Sequence, residues 1–251
     1  MGRWNTLHLF DVKKFYNDII PTLRSEKGCF KNDYIEFLSS YRIGGISNLE
    51  PSKLEKIIDD SISKVIQISN QFDLSFTHHS KYNNLGPYDD EIAYLNEDEF
   101  NYEFNNFFEY YIFKYCADFF PYIICGKHGL LSNLDPKRNS IGYEILCILE
   151  NYHNFFCAYG EGIVGWTSVE DTKVLLNCKE DFFSKKPYTN DDYEYLEGFI
   201  KLVEIATNNK LGLIRGQDMR KWALEKLPQF KLINENHWNY SEFEEVIRFQ
   251  R

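Results

Sequence analysis

The chain reads as a mainly α protein. The expectation is a single helical domain over residues 1–251, a multi-helix bundle around a central buried, aromatic-rich helix at about 97–120, with room for a short N-terminal strand. Three observations predict this. Residues 104–129, FNNFFEYYIFKYCADFFPYIICGKHG, are crowded with aromatics. Wound at ~100° per residue, they are apolar nearly all round, as a helix covered on most sides must be. Residues Leu54, Ile57, Ile58, Ile62, Val65 and Ile66 recur at three and four residues, the stripe of an amphipathic helix. Helix-start signals are also frequent: Ser52-x-x-Glu55, Ser168-x-x-Asp171, Thr189-x-x-Asp192 and Asp135-Pro136.

Thr6 to Phe10, TLHLF, is short and β-prone and supplies the strand. Asp11 is placed to cap a helix through Phe15, Ile19 and Ile20, which Pro21 kinks or ends. Asn32 opens a second helix through Tyr34, Leu38 and Tyr41, stopped by Gly44-Gly45. The helix opened by Ser52 packs by one face, with Lys53, Glu55, Lys56, Asp59 and Asp60 on much of the remainder. Residues 73–98 read as a long loop with an acidic run from Asp89. The central helix then ends before Pro121, and residues 126–133 form a turn-rich bend. A helix follows through Ile141, Ile145, Leu149 and Phe156, and Gly160, Gly162 and Gly165 break the chain. Later helices carry Val174 to Phe182, Leu196 to Ala206, and Asp218 to Leu227, where Pro228 stops the last. A tail with Trp238 and Phe243 docks on the body.

Composition bounds the function classes. Aromatic residues are 17% of the chain, enough to thicken a core or line a recognition surface; AT-rich coding accounts for such usage equally well. The net charge of −10, with no run of Lys or Arg, disfavours nucleic acid and suits either solubility or a basic protein partner. Six cysteines form no CxxC and lie mostly among apolar residues, as free thiols do in a reducing compartment. No apolar run is long enough for a membrane span and the first residues hold no signal-peptide core, so the chain reads as cytoplasmic with no membrane association. The start matches a myristoylation pattern through Thr6, in the awkward context of Arg3-Trp4.

No motif specifies one chemistry, and each candidate stands beside a structural reading. Gly160, Gly162 and Gly165 spell G-x-G-x-x-G, which holds a dinucleotide only after a strand and at the opening of a helix. The preferred reading is a glycine loop between helices, with no cofactor. His78-His79 would need distant partners to bind metal, because adjacent side chains do not share a face; a surface loop is preferred. Cys116 inside an apolar helix would be inert. A di-metal site would need facing carboxylates such as Glu109 and Glu144 with Glu-x-x-His pairs, and Glu150-x-x-His153 gives that spacing once.

Asp118 carries more by geometry. On a helical wheel it falls about 40° from Phe104, inside the apolar arc. A carboxylate there must be paired or protonated, with Lys127, His128, Lys137 and Arg138 as partners across the bend. A buried salt bridge is the preferred reading. The alternative is an acid or base in an aromatic-lined pocket.

Two function classes follow. The first is a soluble cytosolic, non-catalytic interaction protein, of the immunity or inhibitor type, that binds a basic protein partner. The second is an enzyme with a small pocket near Asp118, His128 and Arg138. Oligomeric state is left open by the sequence.

Overall fold

A computed structural model describes residues 3–41, 50–70, 84–85, 99–128, 145, 148–149, 153–155, 162–184, 190–227 and 231–233. Its centre is a sheet. Strand β1 (Arg3–Phe10) is paired on both sides, antiparallel to β3 (Ala117–His128) and to β6 (Gly212–Gln217). Strand β5 (Gly162–Thr167) continues the antiparallel order beyond β6, and β4 (His153–Phe155) beyond β5. The two-residue strand β2 (Asn84–Leu85) pairs parallel with β4, giving the order β2-β4-β5-β6-β1-β3.

This sheet corrects the expectation of an all-helical bundle. The first strand is an interior strand of six, not a small addition to helices. The central helix, α4 (Glu99–Tyr115), ends five residues before the expected boundary at 120, and residues 117–128 form β3 instead of a helix end and a bend. Pro121 stands inside that strand, at the end of the sheet order, where a missing N–H costs no ladder bond on the outer side. Likewise the glycine stretch at 162–165 is strand, not a loop between helices, and residues 153–155 are strand where a helix was expected.

Helices cover the sheet on both faces. On one side lie α1 over residues 12–23, α2 (Lys31–Ser40), α3 (Pro51–Asn70), α4 and α8 (Lys221–Leu224). Their buried residues join Phe10, Phe119, Tyr122, Ile163, Trp166 and Ile214 of the sheet in one cluster. On the other side α5 (Val169–Asn177), α6 (Lys179–Ser184) and α7 (Asn190–Asn208) pack on Leu7, Leu9, Ile123 and Leu213. Alternation along β1 sorts its side chains between the layers: Leu7 and Leu9 face one, His8 and Phe10 the other.

Local chemistry explains several boundaries. Asp11 ends β1 and opens α1, its carboxylate accepting from the Lys14 amide at 2.9 Å. Its own amide donates to the Cys116 carbonyl at 2.7 Å and so ties β1 to the α4–β3 junction. Pro21 does not end α1. A π-helical segment, Phe15–Ile19, precedes it, with the Ile20 amide reaching back to the Phe15 carbonyl, and Ile20–Leu23 completes the helix. Ser168 and Asp171 make both bonds of the expected capping box, at 3.1 and 2.8 Å, and start α5. On α3, Ile58 and Val65 are buried as the stripe predicts, but Ile57 is 40% exposed.

Helix α4 is buried from Phe104 through Phe113 without interruption. Aromatic pairs fasten it, with Phe107 edge-on to Tyr34 and Phe37 of α2 at 4.9 and 5.4 Å. Among the described residues no helix is long and apolar enough to cross a membrane.

Candidate functional site

Besides Asp171 of the α5 capping box, two carboxylates are buried among the described residues. The first is Glu109, in the middle of α4 and 1% exposed. Three parts of the chain meet at it. The Tyr41 hydroxyl, just past α2, donates to its Oε1 at 2.5 Å, and the Arg220 amide, just before α8, donates to the same oxygen at 3.1 Å. The Arg220 guanidinium lies 5.8 Å from the Tyr41 ring centroid and donates to the Tyr41 carbonyl at 3.4 Å. The third part is Gly162 at the start of β5, whose φ of +104° suits glycine alone; a Cβ there would stand 3.5 Å from Glu109 Oε2. Burial, then the Glu109 charge and hydrogen bond, hold the Tyr41 hydroxyl well above its ordinary value, so Tyr41 stays a donor. One turn away on the same face, Asn105 is buried, and its Nδ2 has no hydrogen-bond partner among the described residues.

The second carboxylate, Asp118, is also 1% exposed, at the second residue of β3. Its Oδ2 accepts from the Leu232 amide at 2.9 Å, while Oδ1 has no hydrogen-bond partner among the described residues. Burial pushes the carboxyl up to about 6, against the pull of the Leu232 bond and the Lys231 charge. The structure places this C-terminal segment on Asp118; of the partners expected from sequence, Lys137 and Arg138 lie outside the described residues. His128 is at the far end of the same strand: Ala117 pairs with Phe10 and His128 with Arg3, so the strand spans roughly 23 Å, seven residue steps of β1. The backbones of Asp118 and His128 thus lie toward opposite ends of β3. Arg138, His78, His79 and Gly160 lie outside the described residues.

Gly162 and Gly165 are sheet residues, Gly162 opposite Gln217 and Gly165 opposite Asn154 and Arg215. The next helix, α5, opens at Val169 on the Ser168 cap, so these two glycines sit before the helix and not within its first turn, where a dinucleotide would need them. His153 opens β4, so the helical Glu-x-x-His spacing does not apply to it. Among the described residues no group of three or more His, Cys, Asp or Glu side chains could hold a metal ion.

Among the described residues, Cys29 and Cys178 are exposed thiols, whereas His8, Cys116 and Lys114 are held inside the fold. His8 is fully buried; its Nδ1 donates to the Phe119 carbonyl at 2.7 Å and its Nε2 accepts from the Thr6 hydroxyl at 2.9 Å. Burial lowers it to about 3, outweighing its backbone hydrogen bonds at Phe119 and Asp118, so the ring is neutral at physiological pH. The Cys116 thiol is fully buried, and burial, then the Asp11 charge, raise it well above the ordinary thiol value, which leaves it inert. Lys114 is held by Asp33 and Glu36 at 2.8 Å each and by the Tyr110 hydroxyl at 3.1 Å. Burial draws the Lys114 ammonium down, but these bonds outweigh it and the net shift is upward.

Sequence reasoning placed Glu109 and Asp118 in the apolar segment but missed the groups that hold them. The Asn105-x-x-x-Glu109 spacing was a visible sign of a polar face. Tyr41 and Arg220 come from 68 and 111 residues away, and nothing local announces them. No protein-family model matches the chain, and neither does any curated protein or any solved structure.

Proposed function

We propose that the chain is a non-catalytic interaction protein of the cytoplasm, in the manner of an immunity or inhibitor protein that masks a basic protein partner. The observation that carries this reading is how the buried reactive groups are used. Glu109 accepts from Tyr41 and Arg220, both His8 nitrogens are bonded, and Cys116 is sealed as a neutral thiol. Glu109 and His8 each join segments distant in sequence. The net charge of −10 supports a basic partner, through steering and complementarity. The enzyme reading needs Asp118 and His128 in one cleft, and the two backbones lie toward opposite ends of β3, which favours the interaction reading.

The test is isolation of the tagged chain from its native cells, followed by reconstitution with the purified partner and calorimetry at 50 and 500 mM salt. A stoichiometric basic protein whose affinity falls as salt rises supports the proposal. A bound metabolite without a protein partner, or a partner whose affinity is indifferent to salt, overturns it.

A further inference from the structure

Residues 231–233 lie far from Asp118 in sequence, yet the Leu232 amide is the hydrogen-bond donor that the structure places on that carboxylate. The same three residues make two more attachments. Ile233 is buried in the cluster on the α5–α7 side of the sheet, with Leu232 packed against it. Lys231 Nζ lies 5.8 Å from the ring centroid of Phe120, two residues along β3. The segment therefore crosses the start of β3 and covers the carboxyl group, leaving one of its oxygens buried without a hydrogen-bond partner among the described residues.

We propose that residues 231–233 form a strap whose hold on the α4–β3 junction is set by the protonation state of Asp118. The physical reason is an incomplete hydrogen-bond set. A buried carboxylate with one donor on one oxygen is poorly solvated as an anion, whereas the protonated form needs only that donor and one acceptor. Lifting the strap removes the Leu232 amide and Ile233 and lets water reach the group, returning it toward the ordinary aspartate value of about 4. With the strap in place the carboxyl stands at about 6. The strapped form thus binds a proton more tightly than the lifted form. By linkage the strap tightens as pH falls through 6 toward 4 and loosens as pH rises.

Among the described residues, the charged and titratable groups facing Asp118 are Lys231 on the strap and His8 on β1, which meets Asp118 at the backbone. Lys231 opposes the proton and sets the upper limit of the window. His8 stays neutral down to about 3, so it does not titrate within that window.

The experiment is hydrogen exchange of the full chain, following the peptide that holds Leu232 at pH 5 and pH 7.5, with rates corrected for intrinsic exchange. The wild type is expected to show about tenfold greater protection at pH 5, the ratio given by carboxyl values of about 6 and about 4 in the two forms. Asp118→Asn, which keeps an acceptor for the Leu232 amide and cannot titrate, removes the pH dependence. Equal or lower protection at pH 5 in the wild type, or an undiminished tenfold change in Asp118→Asn, overturns the proposal. Lys231→Gln keeps the carboxyl and tests the same idea independently: the midpoint of the protection change moves to higher pH, and an unmoved midpoint counts against the strap. His8 is common to all three proteins, so its effect on global stability cancels in the comparison.

Discussion

Replacing His8 by Phe converts a buried ionisable group into a test of the core. The ring position is enclosed by Phe113, Phe119 and Tyr122 at 5.0–5.3 Å, so a phenyl group fits the same space. The variant leaves the Phe119 carbonyl and the Thr6 hydroxyl without their His8 partner, which costs about 1–3 kcal/mol at pH 7. The pH dependence is more specific. His8 stands at about 3 in the fold and at its ordinary 6.5 when unfolded. Between those values the unfolded chain binds the extra proton, so the stability that neutral His8 contributes is lost as pH falls through 6.5 toward 3. The complete loss is on the order of 5 kcal/mol, and about 2 kcal/mol of it falls between pH 7 and pH 5. Asp118 acts with the opposite sign. Its carboxyl is raised in the fold, so it returns about 1 kcal/mol over the same interval. Urea unfolding of wild type and His8→Phe at both pH values separates the two, because Asp118 is common to both proteins. The stability gap between them is expected to shrink by about 2 kcal/mol at pH 5. A gap that stays constant would refute the claim that His8 is held neutral by burial.

Other outcomes follow from specific contacts. In Gly212→Ala the new methyl would lie 2.1 Å from the Thr167 carbonyl oxygen and 2.5 Å from Val12 Cγ2, forcing β5 and β6 apart; a loss of about 3 kcal/mol is expected, seen as a Tm lower by about 10 °C. In Gly216→Ala the nearest atoms belong to the flexible Met219 side chain, which can move aside, so the loss is smaller; equal losses at the two sites would contradict the packing argument. Tyr41→Phe removes a hydroxyl donor to Glu109 Oε1 and lowers unfolding free energy by about 2 kcal/mol in urea titration. Native-state alkylation followed by peptide mass spectrometry modifies the exposed Cys29 and Cys178 promptly and reaches Cys116 only after denaturation.

Helices were the legible part of the fold. Asp11 and Ser168 cap helices where their side chains foretold, because capping is decided within four residues. The apolar wheel of α4 announced a helix covered on most sides, and Phe104 through Phe113 are buried. Of the strands only β1 was legible, at residues 6–10. GIVGWT and GLIRGQ form β5 and β6 in a sheet covered on both faces, so neither shows the polar alternation of a half-exposed strand. At the end of α4 the aromatic run passes through Tyr115 and Cys116 into Ala117 without a change of composition, which hid the junction with β3.

The sequence by itself determined that a densely aromatic core would enclose acidic groups in residues 104–129. Hydrophobic pattern and charge are local properties, and the burial of Glu109 and Asp118 follows from their neighbours. Only the tertiary structure decided what those carboxylates meet. Tyr41 and Arg220 converge on Glu109, and Leu232 arrives at Asp118 from 114 residues away, because β1, β3, β5 and β6 fold into one sheet with helices on both faces. A partner for a buried charge is selected by proximity in space, and pairing between distant strands leaves no mark in the local sequence.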